Sequence, residues 1–221
     1  MTTLLPRIMR ALEQFHANHP WDHNAHYHRW ILRQLPRRFN RALDVGSGSG
    51  DLARLLASRA GEVHGIDVDP SIVDRARELT GPAAPVTFTV GDALKEVPPG
   101  PYDVITCVAT IHHMPFSDAL TCFRQHLAPG GTLVVVGVCR PRSRSDYLID
   151  AVAIPANVAM AWIKNKDRKA PRPASMTAPT RPATMTFADI VRDAHQALPG
   201  ARLHRRPPWR YALVWHRHYG P

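Results

Sequence analysis

Two rhythms of apolar and polar positions organise the chain. Short, strongly apolar runs recur at 41–45 (RALDV), 62–67 (EVHGID), 86–90 (VTFTV), 102–108 (YDVITCV) and 132–138 (TLVVVGV). Their length and their Val, Ile and Thr content predict buried strands. Between them, apolar residues repeat at helical spacing, as Leu52, Leu55 and Leu56 do, and predict helices over 51–59, 70–79 and 118–127. Pro70 falls at a helix start, where its missing N–H costs nothing. Strand and helix in regular alternation predict an α/β fold, a parallel sheet covered by helices on both faces.

The flanks follow other patterns. Residues 3–17 and 22–35 read as two helices, interrupted at His19-Pro20. Residues 145–163 read as an apolar helix kinked at Pro155. The stretch 164–182 (KNKDRKAPRPASMTAPTRP) is basic and proline-rich and is expected to be mobile. A helix over 187–198 precedes two strands, 201–206 and 210–216, joined by Pro207-Pro208-Trp209. So tight a connection allows only an antiparallel pair. The expected organisation is an N-terminal helical lid (1–36), a core (37–140), a helical insertion (141–186) and a last helix with two strands that complete the core (187–221).

At 221 residues the chain has room for one domain of this kind with a sizeable core. Cys107, Cys122 and Cys139 show no CxxC spacing, which predicts free thiols in a reducing cytoplasm rather than a metal or disulfide framework. No early stretch reads as a signal peptide, and no apolar run reaches the roughly 20 residues that span a bilayer. A cytoplasmic location is expected. The net charge of +10 is unevenly placed: residues 1–139 carry 13 Lys/Arg and 13 Asp/Glu, and residues 140–221 carry 15 and 5. Either the C-terminal third has a solvated arginine-rich surface, or it faces something anionic: an acidic substrate, a membrane surface or nucleic acid.

The candidate chemistry starts at Gly46-Ser47-Gly48-Ser49-Gly50, between a strand and a helix. Such a turn brings backbone N–H groups and a helix N-terminus close to a ligand. A phosphate-binding P-loop would end in Gly-Lys-Ser/Thr, but Asp51 follows Gly50. The dinucleotide pattern G-x-G-x-x-G also meets Asp51 at its last position. Asp44 before the turn and Asp51 after it would repel a pyrophosphate and suit a ligand with a cationic end. Asp51 as a helix cap and Asp44 as a buried acceptor are compatible with that reading. Asp67 ends the second strand, placed to accept from both ribose hydroxyls, and Asp92 ends the third, placed to accept from an adenine amino group. The implied ligand has an adenine, a free ribose diol and a cationic tail.

LDVGSGSG (43–50), GIDVDPSIVDRARE (65–78), VGDAL (90–94), YDVITCVATIHHM (102–114) and LAPGGTLVVVGV (127–138), in this order and spacing, resemble the class I S-adenosylmethionine-dependent methyltransferases. The resemblance implies a Rossmann-like, seven-stranded, mostly parallel sheet with a C-terminal antiparallel pair. It implies S-adenosylmethionine as cofactor, with Gly46, Ser47 and Gly48 near its methionine part and Asp44 beneath. Asp67 then takes the ribose, Val68 lies against the adenine, and Asp92 with the backbone of Ala93 reads the adenine edge. Cys107, on the strand before the histidines, is placed with these cofactor-side residues. The small-molecule branch that includes quinone- and biotin-pathway methyltransferases is the most similar, because it often carries an HH pair after the fourth strand, here His112-His113. Val108-Ala109-Thr110-Ile111 stands where many amino-methylating enzymes have Asn/Asp-Pro-Pro-aromatic.

A hydroxyl acceptor must lose a proton, and a histidine near pKa 6.5 suits that task. His112 and His113 are therefore the candidate bases, with a structural or cofactor-facing role as the other reading of His112. Asn24, Tyr27 and His28 lie on or next to one helical face and are candidates for a lid over the methionine end or the acceptor; plain core packing by Tyr27 and Trp30 is the alternative. His16, His19, His23 and His26 are near helical spacing, but Pro20 breaks the register, and no metal is expected. The apolar stretch 145–163 suggests a hydrophobic acceptor pocket, contact with a membrane interface, or core. The expected activity is methyl transfer to a small, hydrophobic or aromatic acceptor, oxygen favoured. RNA or another macromolecule as acceptor, and a non-methylating protein of this fold, are the rivals.

Overall fold

Seven strands form, five at the apolar runs and two in the C-terminal segment. The computed structural model, which describes residues 25–141, 182–206 and 209–218, places β1 at Phe39–Val45, β2 at Ala60–Asp67, β3 at Val86–Val90, β4 at Tyr102–Val108, β5 at Leu127–Val138, β6 at Arg202–Arg206 and β7 at Arg210–His216. The expected helices over 3–17 and 145–163, the segment 164–181 and Asn24 lie outside the described residues. The strands join in one sheet in the order β3-β2-β1-β4-β5-β7-β6. The first five are mutually parallel, and β7 runs antiparallel to both β5 and β6. The mostly parallel Rossmann-like sheet and its antiparallel C-terminal pair are thus as expected. The strand order reverses between β1 and β4, and in such sheets the crevice beyond the strand C-termini at that point receives ligands.

Residues of successive parity fill opposite faces. Leu133 and Val135 pack with Phe116, Leu120, Phe123, Ile190 and Tyr211. Val134 and Val136 pack with Tyr27, Ile31, Leu52, Leu56 and Val214. Helices α1 (Ala25–Gln34), α2 (Asp51–Leu56) and α3 (Pro70–Glu78) cover the second face, and α4 (Phe116–His126) with α5 (Phe187–Ala197) covers the first. Ile31 of α1 is fully buried, with Tyr27 and Leu35 nearly so; each such side chain stabilises the docking by about 1.5–3 kcal/mol. The ends of α1 and β1 fix its direction. Leu35 packs near Phe39, where β1 begins, so Tyr27 sits towards the strand C-termini.

Capping follows the sequence where the cap is local. Pro70 opens α3, and Asp69 caps it by accepting from the Ser71 N–H at 2.9 Å. Thr186 and Asp189 form a reciprocal capping box on α5. Several boundaries differ: β1 and β2 begin two residues earlier than expected, at Phe39 and Ala60. The helix expected over 51–59 ends at Leu56, because Ser58 and Arg59 donate three residues back, to Leu55 and Leu56, and tighten the chain into β2. Helix α4 begins at Phe116 rather than 118, with Pro115 at its N-cap position. The turn expected at Pro129-Gly130-Gly131 is part of β5: Gly130 donates to the Arg217 carbonyl at 2.7 Å and Arg217 donates back to Gly131 at 2.9 Å.

Candidate active site

The glycine turn hangs from its neighbour strand. Gly46 and Ser47 both donate to the Ile66 carbonyl, at 2.8 and 3.1 Å. Gly46 and Gly48 have φ of +68° and +51°, a region closed to most side chains. A Cβ on Gly46 would overlap the Thr110 side chain, whereas one on Gly48 would meet nothing within 4 Å. Gly48 therefore presents bare backbone to open space. The Ser47 hydroxyl is buried and has no hydrogen-bond partner among the described residues.

Asp67 clamps this turn. One carboxylate oxygen accepts from the Gly48 N–H at 2.9 Å and the other from the Asp69 N–H at 3.1 Å. Each oxygen keeps a further lone pair to accept from a ligand. The clamp escaped the sequence reading, because it depends on β2 lying beside β1; a carboxylate ending the strand next to a glycine turn was the available signal. Val68 follows with 70% of its surface exposed, an apolar platform at the crevice. Asp92 accepts from the Leu94 N–H at 2.9 Å and pairs with Lys95 at 3.4 Å, and these contacts, the Leu94 bond first, hold its carboxyl below the ordinary value. Ala93 beside it is buried.

Asp44 is 2% exposed and sits opposite Thr106 on β4, whose hydroxyl donates to it at 2.7 Å. Burial, reinforced by the Asp67 and Asp51 charges and opposed by Thr106, pushes its carboxyl up to about 7. Asp51 does not cap α2. Gly50, with φ of +79°, takes the N-cap position without a side-chain bond. The Asp51 carboxylate instead accepts from the Ser49 hydroxyl at 2.7 Å and pairs with Arg54 at 2.6 Å. Its charge is thus directed along the helix.

Beyond β4 the chain turns through Ala109, a non-glycine residue at φ +53°, held by donation of its N–H to the Val136 carbonyl at 2.7 Å. Strain of this kind persists where the surroundings fix it and is frequent at functional turns. A single 3₁₀ turn, Ile111–His113, follows. The His112 and His113 rings lie 4.1 Å apart. His112 is half-buried and lines a small apolar cavity with Ile111, Met114, Phe116, Met185 and Tyr211; His113 is exposed. The Cys107 thiol is wholly buried between the strands, and burial raises its pKa far above the ordinary value.

Tyr27 and His28 are buried on α1, Tyr27 within the core that includes Val136 and Val214. Trp30 packs partly buried against the same cluster. Arg210 stands 5.7 Å from the Tyr27 ring and Arg206 stands 5.0 Å from the Trp30 ring. Neither arginine, nor Thr106 or Thr110, was singled out by the sequence; only the excess of Lys/Arg in residues 140–221 pointed towards the first two.

A glycine turn, a carboxylate at each of the next two strand ends and an exposed valine fit an adenosine ligand with a cationic tail. Residues 42–131 match the family model described as "Methyltransferase domain". The chain is an S-adenosylmethionine-dependent methyltransferase. The methyltransferase is 29% identical over 202 residues to an uncharacterized methyltransferase of Mycobacterium tuberculosis, an alignment covering 89% of this chain and 96% of the relative. It is 29% identical over 168 residues to a ubiquinone biosynthesis O-methyltransferase of Pseudomonas fluorescens, covering 73% and 71%. Among solved structures, the N-methyltransferase NodS of Bradyrhizobium japonicum, in complex with S-adenosyl-L-homocysteine, superposes with a TM-score of 0.59 at 18% identity, covering 94% of this chain and 97% of that one.

Proposed function

We propose that this methyltransferase acts on a small, apolar or aromatic acceptor and that the receiving atom is an oxygen. The observation that carries this reading is the half-buried His112 facing an apolar cavity directly after the strained Ala109 turn at the end of β4. The cofactor, when bound, supplies an electrophilic methyl group. The protein's part is to position the acceptor, exclude water and take a proton. His112 or His113 accepts the hydroxyl proton on a neutral imidazole nitrogen.

Gly46, Ser47 and Gly48 would hold the methionine part over Asp44. Asp67 would take the ribose with Val68 against the adenine, and Asp92 and Ala93 would read the adenine edge. Open space beside Gly48, the exposed Val68 and the orphaned Ser47 hydroxyl fit such a ligand. Buried Tyr27 and His28, near the C-terminal edge of the sheet, support a lid role for the N-terminal segment 1–36, Asn24 included. The insertion 141–186 would complete the acceptor pocket. A relative named for ubiquinone O-methylation supports oxygen as the acceptor atom.

A second reading, an RNA or other polyanionic acceptor, is favoured by the positive C-terminal third. Incubation with labelled methyl donor and a panel of phenols, catechols and carboxylic acids decides between them. Label in a small ether or ester is expected; label only in RNA, with binding that weakens steeply with salt, would sink the small-acceptor reading.

A further inference from the structure

We propose that Arg206 and Arg210 form a carboxylate-binding subsite at the methyl-transfer edge of the sheet, so that the acceptor carries an anionic group on its apolar body. This rests on the small-acceptor reading and specifies the class of molecule within it.

Register places the pair. Arg206 is opposite Arg210 in the β6–β7 ladder, and Arg210 is opposite Val138 at the end of β5. Two residues back on β5, Val136 accepts the Ala109 N–H that shapes the turn before His112. The two guanidinium groups therefore stand beyond the same strand ends as the candidate bases, on the α1 face of the sheet, while the His112 cavity lies on the α4–α5 face.

Helix α1 holds both groups in place. Trp30 lies 5.0 Å under the Arg206 guanidinium and Tyr27 lies 5.7 Å from that of Arg210. The two rings are three residues apart, on adjacent turns of one helix face. Aromatic stacking fixes a guanidinium plane before any ligand arrives, which lowers the ordering cost of binding. Both arginines also act on the Tyr27 phenol, drawing it down against the upward push of burial.

One donor lacks an acceptor. The Arg206 Nε is buried and makes no hydrogen bond among the described residues. A buried N–H on a charged group is costly to leave unmade. A carboxylate satisfies it with a planar pair of oxygens that matches the guanidinium fork. The excess of Lys/Arg in residues 140–221 adds long-range attraction for such a ligand.

Calorimetry on the full chain loaded with S-adenosylhomocysteine tests this, with benzoate and its neutral isostere benzamide as probes. Benzoate should bind roughly tenfold or more tightly than benzamide, the loss in Arg206→Gln or Arg210→Gln should remove that preference, and Arg206→Lys should keep part of it. Absence of benzoate binding, equal binding of the two probes, or a preference that survives both glutamine variants overturns the proposal. Weaker S-adenosylhomocysteine binding by Arg206→Gln also overturns it, by assigning the pair to the cofactor's own carboxylate. Tighter binding of an RNA oligonucleotide, lost in the same variants, overturns it in favour of a polyanion. The reading of the enzyme as a small-acceptor methyltransferase fails separately, through the labelled-methyl assay, so the two failures are distinguishable.

Discussion

Replacing Asp44 by Asn should make the ligand-free protein more stable, and increasingly so as pH rises. The carboxyl is 2% exposed, and burial, more than the Asp67 and Asp51 charges, lifts it from an ordinary 3.8 to about 7. A folded-state pKa above the unfolded one means that the folded protein binds the extra proton. The stability linked to that proton is fully present below about pH 3.8 and is lost as pH rises to about 7, after which the loss is constant. Three pH units at 1.36 kcal/mol each amount to a loss on the order of 4 kcal/mol. About two of those units fall between pH 5 and pH 8, or about 2–3 kcal/mol. Asparagine carries no such proton, and its amide oxygen can still accept from Thr106. Urea unfolding of wild type and Asp44→Asn at both pH values reads the effect directly: the variant should gain about 2–3 kcal/mol on wild type from pH 5 to pH 8. A stability difference that is the same at both pH values would refute the buried-charge argument. The variant should meanwhile bind S-adenosylmethionine more weakly, because the carboxylate faces the cationic end of the cofactor in the proposed site.

Asp67→Ala removes both the clamp on Gly48 and the proposed ribose acceptor, so calorimetric cofactor affinity should fall by about tenfold or more, at 1.5–3 kcal/mol for a charge-assisted bond; unchanged affinity would take Asp67 out of the site. If His112 or His113 is the general base, its alanine variant should lose about 10²–10⁴-fold in turnover with cofactor affinity retained. Full turnover in both variants would leave positioning as the whole mechanism. Gly46→Ala combines a φ of +68° with overlap on Thr110; it should lower the unfolding free energy by about 1–3 kcal/mol and abolish cofactor binding, and a wild-type melting curve would contradict the geometry.

The parallel core was legible because its central strands β4 and β5 are rich in Val, Ile and Leu and buried on both faces, and because Pro70 marks a helix start. The carboxylates at the ends of β1, β2 and β3 were legible for a related reason: strand ends in such a sheet line one edge. What the sequence hid depends on contacts between distant segments. Arg217 recruits Gly130 and Gly131 into β5 from the far end of the chain, so an apparent turn becomes ladder. Asp51 resembles a helix cap, yet Gly50 takes that position and Arg54 draws the carboxylate away. The contact of Arg206 with Trp30 joins β6 to α1, and no local pattern in either element announces it.

The place of β7 between β5 and β6 has a consequence for biosynthesis. A ribosome makes β5 well before β7, so the nascent sheet first has Leu133, Val134, Val135 and Val136 on a strand paired with β4 on one side only. Their partners Trp215, Val214, Leu213 and Ala212 arrive later, and β6, made earlier than β7, has no place on the sheet until β7 is laid down. An open apolar strand is a template for wrong pairing. A nascent chain stalled between β5 and β7 would expose that edge, and cellular quality control, rather than catalysis, would be the first process to register the defect.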